Sequence, residues 1–378
     1  MLNHKAFSIF KKNITTMKYV WLLILVCFSC KSKMYSSLDL NEKQQQSRLF
    51  TKVKIIPIIE EETLNVRALE IVEDNNALVF LSSLGDLGVY NNEIEELIFP
   101  VEIETDSIKP NFRSLSARNS SGYGMSISSP AKLYKLNIDL EKSSIVYQEN
   151  HEKAFYDSLE FWNDDEGIAI GDPTDGCMSI IITRDGGTSW KKITCENLPE
   201  AKDGEAAFAA SDTNIAIVGD KTWVATGGKA SRILFSPDKG KTWDVFNTPI
   251  IQGLETTGMY SIDFYDDLNG FAIGGDYTLP EQNKANKIRT QDGGKTWELV
   301  AENKNPGYRS CVKYVPNSNA KQLVAIGFNG IDYSSDGGNN WKHLSDEGFY
   351  TIRFLNDSIA FAGGNGRVSK LVFKQKKP

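Results

Sequence analysis

The chain has 378 residues, 40% hydrophobic and 24% charged, with a formal net charge of −7. This is globular composition at a length that builds one large domain or two ordinary ones. The acidic balance argues against nucleic acid or an anionic membrane surface as ligand, and three histidines give little material for a histidine metal centre. The 40 aromatic residues and 30 glycines favour strands and tight hairpins.

In chain order, residues 17–33 read "MKYVWLLILVCFSCKSK". The apolar run from Tyr19 to Phe28 is too short to cross a bilayer and suits the core of an export signal. A small residue followed by Cys at its end resembles a bacterial lipoprotein signal, which would make Cys30 the lipidated first residue. Residues 1–29 then form the leader, with Met17 expected as the true start. Their four lysines and no acids move the mature chain from −7 to −11. Residues 30–50 are polar and aperiodic, as a flexible tether would be. The fold is expected over 51–378.

Beyond the tether, "TKVKIIPII" reads as a strand, and seven related units begin near residues 66, 112, 156, 205, 259, 308 and 349. Each starts with an alternating strand, a polar turn and a strand of small residues ending near Gly. Four units carry the phrase S/T-x-D-x-G-x-x-W: "TRDGGTSW", "SPDKGKTW", "TQDGGKTW" and "SSDGGNNW". Its aspartates, Asp185, Asp238, Asp292 and Asp336, stand 53, 54 and 44 residues apart. A period of this size marks a repeat architecture. Four antiparallel strands per unit predict an all-β, seven-bladed β-propeller, its ring closed by the N-terminal strand.

The phrase resembles the Asp-box, or BNR repeat, of sialidases and related propellers. The wider layout, with "GDP", "EAAFAAS", "GGDY" and "GYRS" between the turns, resembles exported bacterial proteins akin to the photosystem II stability and assembly factor family. That resemblance implies binding to a membrane-protein subunit during maturation, and it places the boxes on the rim, away from any ligand. The chemistry of the phrase agrees. Gly187, Gly240, Gly294 and Gly338 allow positive φ, and each Asp accepts from backbone amides the turn leaves unpaired. Trp190, Trp243, Trp297 and Trp341 give each hairpin an apolar body to bury. Cys177 and Cys195 flank the first phrase; they read as a disulfide across two strands or as two core thiols. Cys311 reads as core.

The opposite face carries the candidate site. Arg67, Arg113 and Arg309 stand at the starts of inner strands, as do Asp157 and Glu205, with Tyr260, Tyr308 and Tyr350 beside them. Loops after the second strands add Asp172 and Asp175, Asp220 and Trp223, and Asp276 and Tyr277. Arginines and aromatics on a rigid ring are the residue types of interface hot spots. The leading expectation is a non-enzymatic, lipid-anchored propeller in the cell envelope, on the outer membrane facing the periplasm. It would act as a monomer and bind an envelope or membrane protein through Arg67, Arg113, Arg309, Glu205, Asp276, Tyr277 and Trp223.

A second reading is a sialidase-like glycoside hydrolase or a binder of carboxylated carbohydrate. Three arginines would clamp the carboxylate, Tyr308 or Tyr277 with Glu205 would form the nucleophile pair, and Asp157 or Asp172 would be the acid. A third reading makes the arginines and acids one another's structural partners. No cofactor is expected. Asp172 and Asp175 alone make a weak Ca²⁺ site, and no metal is assigned.

Overall fold

The computed structural model describes residues 49–72, 76–101, 109–118, 121–137 and 142–375. The expected leader, Cys30 and the tether as far as residue 48 lie outside the described residues. Lys52–Lys374 make up one compact unit, to which the features below belong; Met1–Thr51 and Gln375–Pro378 are assigned apart from it.

The strands form a β-propeller of four-stranded antiparallel units, gathered into six hydrogen-bonded sheets. This corrects the expectation of seven separate blades. The last unit makes no sheet of its own. Its strands Thr351–Phe354 and Ile359–Gln375 continue into Phe50–Val72, then Ala77–Ser82, Leu87–Asn91 and Glu96–Val101, as one six-stranded sheet. The cause is strand length: the first strand runs 23 residues and the last 17, so both bridge two units.

The inner and middle strands bury both faces, because each sheet is covered there on both sides by its neighbours, whereas outer strands such as Lys142–Glu149 and Asp244–Asn247 stay largely open to solvent. In Gly167–Gly171, Ala169 joins Leu159 and Ile181 on one side. Ile168 and Ile170 point the other way, against Ile215, Val224 and Leu234 of the next sheet.

The four Ser/Thr-Asp-Gly-Trp turns share one bonding scheme. Asp238 Oδ1 accepts from Ser236 Oγ at 2.9 Å and from the Thr242 amide at 2.8 Å, while Oδ2 accepts from Thr242 Oγ1 at 2.7 Å. Asp185, Asp292 and Asp336 repeat it with Ser189, Thr296 and Asn340. Gly187, Gly240, Gly294 and Gly338 all have positive φ. They also receive a side chain of the preceding unit: a Cβ on Gly294 would stand 2.7 Å from Trp223 Nε1, and one on Gly338 only 2.1 Å from Phe271. Trp243, Trp297 and Trp341 donate back to the turn glycine's carbonyl, whereas the buried Trp190 Nε1 has no partner among the described residues. The turns therefore lock neighbouring units together.

Cys177 and Cys195 form a disulfide with Cα atoms 5.4 Å apart, while Cys311 is a buried free thiol. Among the described residues no helix is long and apolar enough to cross a membrane.

Candidate functional site

At the end of the ring away from the turns, four inner strands carry the same irregularity. Pairing skips one residue between Val66 and Ala68, Phe112 and Ser114, Tyr156 and Ser158, and Met259 and Ser261. The unpaired residues are Arg67, Arg113, Asp157 and Tyr260. A β-bulge releases its extra residue from the ladder and re-aims its side chain. Repetition of the bulge thus gathers these four side chains at the mouth of the channel.

Arg67 donates to Asn65 Oδ1 and lies over the Tyr350 ring, 3.7 Å from its centroid. Arg113 donates to Asn111 Oδ1 at 3.1 Å and reaches the Ala209 carbonyl at 3.5 Å. Neither guanidinium has an ion pair among the described residues. Burial, with the neighbouring charge of Arg67, pushes Arg113 down to about 10. Asp157 is fully buried, and among the described residues its oxygens have no well-formed hydrogen bond, only the weak approach of the Ala209 amide. Burial and the nearby Asp172 push it well above the carboxylate range, only partly opposed by the Ala209 amide and Arg113. Burial lifts Asp172 to about 6 although it accepts from the Ala207 amide at 2.8 Å.

Aromatic side chains continue this surface. Phe208 stacks on Tyr260 with centroids 3.9 Å apart, Tyr260 meets Tyr308 edge-on at 4.8 Å, and Tyr308 leans on Phe328 at 5.3 Å. Tyr277 packs at 6.4 Å from Tyr260 and 6.5 Å from Tyr308. Tyr277 is 48% exposed and Phe328 41%, so the cluster presents apolar surface to solvent.

Other expected site residues are placed elsewhere. Arg309 is buried and spent: Nε and Nη2 meet Asp332 Oδ2 at 2.7 and 2.6 Å, and Nη1 donates to the Tyr308 carbonyl. His343 Nδ1 holds the other oxygen of Asp332 at 3.0 Å. Glu205 is bound by Arg232 through both oxygens, at 3.0 and 2.5 Å, and also accepts from Thr226 Oγ1. That leaves no free carboxylate for a Tyr–Glu nucleophile pair. Trp223 is fully buried, stacked on Phe264 at 3.7 Å, and donates to the Gly293 carbonyl. Asp220 lies in the turn between Ile215–Val218 and Lys221–Ala225, near Lys239. Asp276 is buried and accepts from Thr278 within its own loop. Asp175 approaches Lys192 and His151 at 3.9 and 4.0 Å. No group of three or more His, Cys, Asp or Glu among the described residues is placed to hold a metal ion.

The misplacement of Glu205, Asp220 and Trp223 has one cause. The inner strand of that unit is Ile215–Val218, not the segment from Glu205. Residues 207–214 instead cross the channel. Asp212 accepts from the amides of Leu115 and Leu159, Ser211 donates to the Ser310 carbonyl, Thr213 donates to Ser261, and Ser158 donates to Asn214. Arg353 and Thr351 donate to the carbonyls of Asp212 and Ser211. Inner strands of five units are thereby tied to one strap, which floors the site through Phe208 and Ala209. No spacing in the sequence marks it: the 53 residues from Asp185 to Asp238 are matched by 54 from Asp238 to Asp292, which holds no such strap.

No protein-family model matches the chain. No curated protein matches it either. Solved structures do. "YCF48 bound to D1 peptide" is similar with a TM-score of 0.62 and 13% identity, over 86% of this chain and 96% of that one. YCF48 from Cyanidioschyzon merolae gives 0.60 and 13%, over 85% and 98%. U3-55K gives 0.59 and 9%, also over 85% and 98%. At such identities the likeness establishes the propeller fold.

Proposed function

We propose that this chain is a non-catalytic binding propeller, an assembly or scaffold factor whose channel mouth holds a carboxylate-bearing segment of a partner protein. One observation carries the reading: Arg67 and Arg113 stand together at the mouth with no ion pair to either among the described residues, the nearby Asp157 being held towards its protonated form by burial. Guanidinium offers a planar fork of donors that matches a carboxylate. The bulged strands and the strap fix both side chains before binding, which reduces the ordering cost. Arg309, committed to Asp332, holds the Tyr308 carbonyl instead of a ligand. The fold shared with a propeller bound to a D1 peptide favours a protein partner over a sugar.

The same proposal has the protein exported, lipid-anchored at Cys30 and tethered to the envelope, with its rim turns as Asp-boxes. Mass spectrometry of the mature protein tests the anchor, which fails if Cys30→Ala leaves the mass of the N-terminal fragment unchanged apart from the substitution. Binding is tested with a peptide library carrying free acids, screened against the wild type and an Arg67→Ala, Arg113→Ala double variant. Acidic peptides retained by the first and lost by the folded second support the reading; equal retention refutes it. Turnover of a fluorogenic sialoside would instead favour the hydrolase.

A further inference from the structure

We propose that the aromatic cluster beside the arginine pair is a second subsite, and that the partner segment carries a large apolar residue next to an Asp or Glu side chain. The inference rests on the proposed carboxylate site and extends it. Tyr277 and Phe328 are exposed to 48% and 41%, and Leu279 on the same loop to 49%. They are not loose. Tyr277 is braced by Tyr260 and Tyr308, Phe328 by Tyr308, and Tyr260 by the stacked ring of Phe208. Tyr260 is itself pinned by its hydroxyl to the Thr256 carbonyl at 2.8 Å. Aromatic surface held this way binds at low conformational cost.

Continuity with the arginines selects the occupant. Arg67 lies over the Tyr350 ring, the Tyr350 carbonyl accepts from Ser310 Oγ at 2.8 Å, and two residues before Ser310 stands Tyr308, the hub against which Tyr277 and Phe328 lean. A ligand neutralising Arg67 therefore has apolar surface beside its carboxylate. A lone carboxylate would leave that surface wet; a carboxylate flanked by Phe, Leu or Tyr covers it. A peptide supplies both groups, and an acid side chain lets the chain run on in both directions across the mouth.

Fluorescence anisotropy with N-acetylated, C-amidated peptides tests the proposal, so that only side chains supply carboxylate. One probe contains Phe-Glu, a second Gly-Glu and a third Phe-Gln. The Phe-Glu probe is expected to bind about ten-fold more tightly than Gly-Glu, a gap of about 1.4 kcal/mol. Tyr277→Ala with Phe328→Ala should erase that gap by weakening Phe-Glu alone, and Arg67→Ala with Arg113→Ala should weaken both acidic probes. Tyr277→Gln with Phe328→Gln, melted beside the wild type, guards against loss of fold. Equal binding of Phe-Glu and Gly-Glu, both lost with the arginines, overturns the subsite and leaves the carboxylate site standing. Binding of neither acidic probe overturns both. Capture of a free-terminus Phe-Gln peptide, or of a uronic-acid oligosaccharide instead of the acidic probes, overturns the stated partner.

Discussion

The Arg67 guanidinium lies over the Tyr350 ring, its central carbon 3.7 Å from the ring centroid. These two residues come from the first and last units, which share one sheet, so their stacking spans the junction between the chain's two ends. Stacking needs a planar cation and leaves the edge of the guanidinium pointing at the mouth. Lysine cannot reproduce either property. Arg67→Lys should weaken an acidic peptide several-fold by anisotropy while shifting Tm little. Unchanged affinity would show that charge alone suffices there.

Arg309 should behave differently from Arg67 although both open an inner strand. Its guanidinium is paired with the buried Asp332, so Arg309→Ala strands a carboxylate away from water. Breaking a buried pair from one side costs about 3–5 kcal/mol. Denaturant unfolding should show that loss, and Arg309→Met combined with Asp332→Asn should recover most of it. A stable Arg309→Ala protein that merely binds peptide less well would contradict the assignment.

Asp157 and Asp172 set a pH dependence. Both hold their protons more tightly when folded, so their favourable contribution is complete below pH 3.8 and is lost as pH rises through the folded values. For Asp172 that window runs from 3.8 to about 6, and for Asp157 it extends higher. Asp157→Asn should therefore gain on the wild type as pH rises from 4 to 8, read as the difference between their denaturant-unfolding stabilities. Parallel stability curves would show that Asp157 finds a partner in solution.

The rim turns should matter for stability and not for binding. Asp292→Ala removes acceptors for Thr290, the Thr296 amide and the Thr296 hydroxyl. At about 1 kcal/mol for each net hydrogen bond, a loss of roughly 1–3 kcal/mol is expected, with peptide affinity intact. Altered affinity at unchanged stability would bring the turn into the site.

The repeat phrase and the strand-start positions of Arg67, Arg113 and Asp157 were readable from the residues alone, for physical reasons, while the bulges that release these side chains were not. Asp238, Gly240 and Trp243 act within eight residues of one another, so local chemistry determines their geometry. Arg67, Arg113 and Asp157 each follow the first large apolar residue of a unit, a register that survives without coordinates. What escaped depends on distant partners. Glu205 meets Arg232 across 27 residues and Arg309 meets Asp332 across 23, and neither spacing announces a pair. The polar run from Ser211 to Asn214 has the composition of an exposed hairpin turn but is buried across the channel. The sheet count escaped because the long first and last strands fuse two units into one.

That fused sheet has a consequence during synthesis. Phe50–Val72 emerges from the ribosome early, yet one of its neighbours is Ile359–Gln375, the last strand of all. Until that partner has been made, one edge of the first strand stays unsatisfied, and an open strand edge invites wrong pairing. The ring can close only once Ile359–Gln375 has left the ribosome, which makes the emergence of that strand the step that separates a sticky nascent intermediate from a sealed propeller.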